Sequence, residues 1–323
     1  MNKVVASGWD DGSIQLWNVR TLQPVGEPLR RQRGAITDVG FSPDGRLLAS
    51  TSTDGTVLLW DVTLRQPTIG PLAAGSRPAT SLVFDESGKW LATGSEDGTV
   101  SLWSLDAASE LGRALDGHEA TITSLAFTPN LSSDDDSVDL ASGDNNGAVH
   151  FWDLDRDSPM VATRRVPAGR VSGLEYHPNG TTLGVGTDRG SLWLWQLGHS
   201  ILSAPAEIEP PALIGPVRGL AFSPSEPILA YGEDYRTVAD DSQYSGTILW
   251  DLHAEKQDGA ALPTHTTSMA FNPRGTVLAA ASGEDAITPT VTLWSVETRD
   301  ILGTLDGHKK KINSVEFSHD GSR

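Results

Sequence analysis

The sequence predicts an all-β chain folded as a seven-bladed β-propeller of four-stranded antiparallel blades, with strands from the two ends of the chain sharing one blade. Three observations predict it. Tryptophans recur at Trp17, Trp60, Trp103, Trp152, Trp195, Trp250 and Trp294, with spacings of 43, 43, 49, 43, 55 and 44 residues, close to the length of a four-stranded unit. Each interval repeats one pattern: an apolar strand ending in an aromatic, a turn, a strand of small residues, a tight glycine turn and a strand ending in Trp. The strands are short, β-branched, alternating runs separated by Gly, Pro, Asn and Asp, and no helical period competes with them.

The first strand of a unit reads Ala35 to Phe41, and its counterparts end at Phe84, Phe127, Tyr176, Phe222, Phe271 and Phe317. A turn such as Ser42-Pro43-Asp44-Gly45 follows, in which Pro presets φ and Gly tolerates positive φ. The second strand, as in Leu47 to Ser52, is built of small residues because it packs between neighbouring blades. Asp54-Gly55 then signals a hairpin into the third strand, Thr56 to Trp60.

The chain begins with a second strand (Val4 to Gly8) and a third strand (Ser13 to Trp17) that lack a first strand ahead of them. The other end supplies it: Lys311 to Phe317 reads as a first strand, and the turn Ser318-His319-Asp320-Gly321 follows. Passing from Trp294 through Arg323 to Trp17 takes 46 residues, within the range of the internal units. A shared blade leaves no open sheet edge at the seam. Both ends also fall at the same point of the repeat, as they would in a piece cut from a longer array. The expected organisation is one propeller domain over residues 1–323.

Thr56-Val57-Leu58-Leu59-Trp60-Asp61, Ala148-Val149-His150-Phe151-Trp152-Asp153 and Leu115-Asp116-Gly117-His118 resemble the Trp-Asp and Gly-His signatures of WD40 repeats. The resemblance runs over essentially the whole chain. It departs at Trp103 and Trp294, which precede Ser, at Trp17, which precedes Asn, and at Trp195, which precedes Gln. It implies a structural network in which His, a strand hydroxyl, a turn Asp and the Trp indole lock adjacent strands. The members would be His308, Ser7, Asp11 and Trp17 at the seam, and His118, Ser142 and Trp152 in another blade, with Asn146 where the Asp is expected. His308, Asp11 and Ser7 also have the residue types of a catalytic triad, but those types recur in this fold as scaffold. In texture, phrases such as Gln23 to Leu29 resemble those of bacterial WD-repeat proteins with an upstream signalling NTPase or kinase domain. That implies a sensing or docking module.

Composition narrows the chemistry. There is no cysteine, hence no disulfide framework, thiolate nucleophile or thiolate metal site, and a cytoplasmic location is the expectation. No stretch approaches a membrane span. A formal net charge of −18 disfavours a nucleic-acid partner, which needs a basic surface. The eight histidines are scattered without a His-Glu-x-x-His run. Asp153-x-Asp155-x-Asp157 starts like a calcium loop but meets Pro159, and Asp134 to Asp136 reads as a solvated insertion. Neither a metal nor a cofactor is expected.

Recognition should therefore lie in the loops, which rigid strands present. Arg33, Arg77, Arg170, Arg218 and Lys309 stand near the starts of first strands in five of the seven units. They either hold an acidic or phosphorylated protein segment or offset nearby turn carboxylates such as Asp54, Glu96 and Asp97. An insertion from Glu233 to Gly246 on the same face adds Tyr235, Arg236 and Tyr244, residue types of interface hot spots. The Pro-rich stretch Ile201 to Pro216 reads as an extended outer strand with its connections. The leading expectation is a scaffold or docking module, monomeric as an isolated domain, that binds a protein or peptide. A propeller hydrolase or lyase with a central-channel site and a structural subunit of a permanent complex are the rivals.

Overall fold

The computed structural model of the protein describes residues 4–73, 76–105, 112–129, 138–197, 206–207, 215–233, 246–264, 266–282, 289–308 and 310–319. Seven antiparallel sheets form a β-propeller. Blade 1 is the seam: its inner strand is Ile312–Phe317, followed outward by Val4–Trp9, Ser13–Asn18 and an outer strand split into Gln23–Pro24 and Leu29–Arg30. Blade 2 comprises Ile36–Phe41, Leu47–Ser52, Thr56–Asp61 and Gln66–Ala73. Blade 3 comprises Ala79–Phe84, Trp90–Ser95, Val100–Ser104 and Arg113–Leu115, and blade 4 Ile122–Phe127, Leu140–Asp144, Ala148–Trp152 and Met160–Arg165. Blade 5 runs Val171–Tyr176, Thr182–Thr187, Leu192–Gln196 and Ala206–Glu207. Blade 6 runs Val217–Phe222, Ile228–Glu233, Gly246–Asp251 and Lys256–Gln257, and blade 7 Thr266–Phe271, Val277–Ser282, Val291–Ser295 and Ile301–Leu305.

The two ends meet as the repeat requires. Val4–Trp9 pairs on one edge with Ser13–Asn18 and on the other with Ile312–Phe317, with Ser7 opposite Val315. Most of the Pro-rich stretch, the Asp134 to Asp136 cluster and residues 234–245 lie outside the described residues; Ala206–Glu207 is the outer strand of blade 5, paired with Trp193 and Leu194.

The core consists of slabs between blades, because a radial sheet has an apolar neighbour on each side. Alternation in the second strand feeds both slabs. Val5, Leu48, Leu91, Leu140, Leu183, Leu229 and Leu278 pack towards the preceding blade. The next residue in each blade (Ala6, Ala49, Ala92, Ala141, Ala230 and Ala279) packs towards the following one. Gly184 takes this position in blade 5, where an added Cβ would stand 3.1 Å from Leu220 and Phe222. Each repeat Trp lies in the slab shared with the blade before it. Small residues are thus set by the space the next blade leaves. Gly143 has only 2.6 Å between its would-be Cβ and Val171, and Gly8 only 2.4 Å to Ile36.

Inner strands do not ladder to one another, so their channel-facing edges need other partners. Side chains supply them across blade boundaries. Ser314 Oγ accepts from Val39 N–H (3.2 Å), Asp38 Oδ2 from Leu82 N–H (3.0 Å), Ser124 Oγ from Leu174 N–H (2.9 Å) and Ser268 Oγ from Val315 N–H (3.1 Å). Ser314 Oγ also donates to Asp38 Oδ1 (2.7 Å). One residue earlier in the strand, Thr37, Thr267 and Asn313 donate to the carbonyls of Ala79, Ile312 and Ile36 in the next blade. Blades 5 and 6 carry Gly173 and Gly219 at the accepting position, so no side chain continues the belt there.

Candidate interaction face and channel

Among the described residues four repeat-Trp indoles donate to strand hydroxyls, and in three of these nodes a His or Gln side chain joins the hydroxyl. At the seam, buried Ser7 Oγ accepts from Trp17 Nε1 (3.0 Å) and Trp9 Nε1 (3.1 Å) and lies 3.2 Å from His308 Nε2. Asp11, expected beside His308, is instead held by Ser13 and by Arg30 Nη1 (3.1 Å). Its carboxylate caps its own turn. Burial pushes the His308 imidazole down to about 4, against the pull of Leu305 and Asp306. In blade 4, Ser142 Oγ accepts from Trp152 Nε1 (2.7 Å) and sits 2.6 Å from His118 Nε2, while His118 Nδ1 is 2.8 Å from Asp144 Oδ2. The acid of this node is therefore Asp144, the last residue of the second strand, and not Asn146, whose backbone N–H merely donates to Asp144 (2.9 Å).

Ser142, His118 and Asp144 have the distances of a hydrolase triad, but the constellation is closed. Ser142 has no exposed surface, the His118 side chain has none, and the indole of Trp152 occupies the hydroxyl. A nucleophile must reach substrate, so this arrangement is a lock. His150 stacks on His118 at 3.8 Å between centroids, and burial together with the neighbouring ring pushes it to about 4.

The third node was missed in the sequence. Gln32 takes the histidine place in blade 2: its Oε1 accepts from Ser50 Oγ (2.7 Å), whose oxygen accepts from Trp60 Nε1 (2.9 Å), and its Nε2 donates to Thr56 O (3.0 Å). Gln32, His118 and His308 each stand four residues before an inner strand, so the offset held the signal. Blade 3 keeps a simpler version, Trp103 Nε1 donating to Thr93 Oγ1 (3.1 Å). In blades 5, 6 and 7 the hydroxyl position holds Val185, Tyr231 and Ala280, and the indole nitrogens of Trp195, Trp250 and Trp294 have no hydrogen-bond partner among the described residues. Changing Ser142 to Ala should cost about 2–4 kcal/mol, since it strands two buried donors or acceptors. Ala280→Ser, which offers Trp294 an acceptor, should gain about 0.5–1 kcal/mol. Urea unfolding followed by Trp fluorescence measures both, and equal effects of one sign would refute the assignment.

On the loop face, the turn carboxylates clasp backbone. Asp54 Oδ2 accepts from Arg33 N–H (2.6 Å) and Oδ1 from Thr56 N–H (3.0 Å). Asp97 accepts from the N–H and Oγ of Ser76 (2.9 and 2.8 Å) and from Thr99 N–H (3.0 Å). These bonds hold both carboxyls below the usual carboxylate range in spite of partial burial. The exposed guanidinium groups of Arg33 and Arg77, on adjacent blades, have no ion-pair partner among the described residues. Arg170 differs: its Nε lies 3.4 Å from Asp188 Oδ2. Arg218, half-buried at the second position of its strand, already has a partner. Lys309, Tyr235, Arg236 and Tyr244 lie outside the described residues.

The calcium-like run is also spoken for, since Asp153 accepts from Asp155 N–H (3.1 Å) and pairs with Arg156 (2.6 Å). Among the described residues no helix is long and apolar enough to cross a membrane.

Inside the ring a cavity of about 640 Å3 passes between the inner strands, and a second of about 350 Å3 opens at the mouth opposite the arginines. Glu175 and Glu316 line both. Burial pushes each carboxyl up to about 8, and Glu316 also feels the charges of Glu175 and Asp38. Asp38 itself is pushed to about 6, the three hydrogen bonds it accepts opposing the effect of burial.

The closed ring, its Trp nodes and its variable loops define a repeat propeller, a rigid toroid that displays two loop faces. Four of its stretches match WD40 repeats: the family model described as WD domain, G-beta repeat matches residues 26–61, 71–104, 109–153 and 299–323. A chain in the crystal structure of a mitotic checkpoint complex shares the fold with a TM-score of 0.69 and 17% identity, over 86% of this chain and 79% of that one. No curated protein matches in sequence.

Proposed function

We propose that the protein is a protein-interaction platform whose loop face holds an acidic or phosphorylated segment of a partner, anchored first by Arg33 and Arg77. The observation that carries this reading is the division of labour on that face. Asp54 and Asp97 spend their oxygens on backbone and hydroxyl donors, so the neighbouring guanidinium groups stay available to a ligand. Planar guanidinium forks suit carboxylate and phosphate groups. Arg170, which must first leave Asp188, and Arg218 are secondary contacts. The WD40 fold and its occurrence in a multiprotein assembly support a binding role rather than turnover.

Affinity capture from cell extract tests it, with wild type compared against Arg33→Ala/Arg77→Ala, followed by anisotropy with phosphoserine and glutamate-rich peptides. A captured partner should be lost in the variant, and peptide binding should weaken about tenfold and fall with salt. Unchanged capture and unchanged peptide affinity would move the site elsewhere on the ring.

A further inference from the structure

The fifth residue of each inner strand lines the channel, and five of the seven are Gly40, Val83, Ala126, Ala221 and Ala270. The other two, Glu175 and Glu316, are three blades apart and so face one another across the ring. Because both border the two cavities, they form the waist between them. Glu175 and Glu316 are half-buried along the channel wall, and neither carboxylate receives a hydrogen bond from any described residue. Neither cavity is lined by a Lys or Arg among the described residues. The remaining titratable groups around the waist are Asp38, Asp85, Glu86, Tyr176 and His319. Asp38 and Asp85 spend their oxygens on backbone and Ser donors. Among the described residues the pair thus lacks a counter-charge, which is costly for carboxylates partly withdrawn from water.

We propose that the channel waist is a binding site for a primary alkylammonium group, held between Glu175 and Glu316, with its alkyl stem along the apolar wall towards the mouth. The wall supports an organic cation over a hydrated metal ion. Ala126, Ala221, Met269 and the prolines Pro129, Pro178 and Pro224 line the mouth-side cavity and match a hydrocarbon stem. The described residues offer no set of three metal-ligating side chains. The site lies away from the arginine face and stands independently of the reading proposed for it. A free alkylamine and a lysine side chain present the same chemistry.

Calorimetry on the full chain tests the site with n-pentylammonium, with Nα-acetyl-lysine amide and with 1-pentanol as the uncharged control. Wild type should bind pentylammonium, Glu175→Gln/Glu316→Gln should bind it about tenfold more weakly or less, and pentanol should give no comparable uptake. Since the carboxyls must ionise to hold the cation, binding at pH 7 should release protons, seen as a buffer-dependent heat, and should tighten towards pH 8.5. Uptake of the lysine derivative as well would assign the site to a side chain entering from a partner; uptake of pentylammonium alone would assign it to a free amine. No binding by wild type, equal affinity in the folded double variant, or equal uptake of pentanol overturns the proposal.

Discussion

Deleting Lys311 to Arg323 is expected to abolish cooperative folding. The deletion removes the inner strand of blade 1, and with it Ile312, Val315 and Phe317, all at most 2% exposed. Full burial of such side chains is worth roughly 1.5–3 kcal/mol each. It also frees the whole edge of Val4–Trp9 and takes Ser314 and Asn313 from the inter-blade belt. The loss, about 5 kcal/mol or more, rivals the total stability of a typical domain. A circular permutant that joins Arg323 to Met1 and opens the chain at the exposed turn Asn179-Gly180 keeps every one of those contacts. It should unfold near the wild-type midpoint in urea. A truncated chain that melts like wild type would sink the idea that the seam closes the ring.

Glu175→Gln/Glu316→Gln should stabilise the protein, most of all in mild alkali. An ordinary glutamate titrates near 4.3, and these two are pushed to about 8 in the folded state. Between those values the folded chain holds protons that the unfolded chain has lost. Stability contributed by the pair is therefore full below about pH 4 and declines as pH rises towards 8. Asp38 adds a smaller decline of the same sign between about 4 and 6, which the variant keeps. The buried histidines work the opposite way: His150 and His308 lie near 4, so their contribution is lost as pH falls below about 6.5. Relative to wild type the double variant should gain about 1–3 kcal/mol at pH 8.5 and close to nothing at pH 4.5. Urea midpoints at both pH values decide it, and parallel profiles would show that the waist carboxyls ionise freely.

Much of the fold was legible because its signals are local and repeated seven times. A Trp every 43 or so residues, an aromatic closing each inner strand and Asp-Gly hairpins each mean little alone, but in phase they leave one architecture. The seam was legible for the same reason, as the two half-units complete one repeat. The network hydroxyls Ser7 and Ser142 followed from the WD40 resemblance. The acids did not: aligning on the turn selects Asp11 and Asn146, whereas the structure selects Asp144 in blade 4 and, among the described residues, gives His308 no hydrogen-bonded carboxylate.

What the sequence by itself determined is the repeat, the strand order and the small residues of the second strands, since these follow from chain periodicity and from the space between radial sheets. Only the tertiary structure decided which groups meet across blades. Glu175 and Glu316 carry no signal in the sequence beyond their place in the first strands; closing the ring brings them to line one channel. Arg33 stands three residues before its inner strand and Arg170 one before its own; among the described residues the Arg33 guanidinium has no ion-pair partner whereas Arg170 lies beside Asp188, because the reach of a long side chain depends on a turn that belongs to another strand. Charge, burial and partnership are properties of the closed ring, and ring closure joins residues hundreds of positions apart.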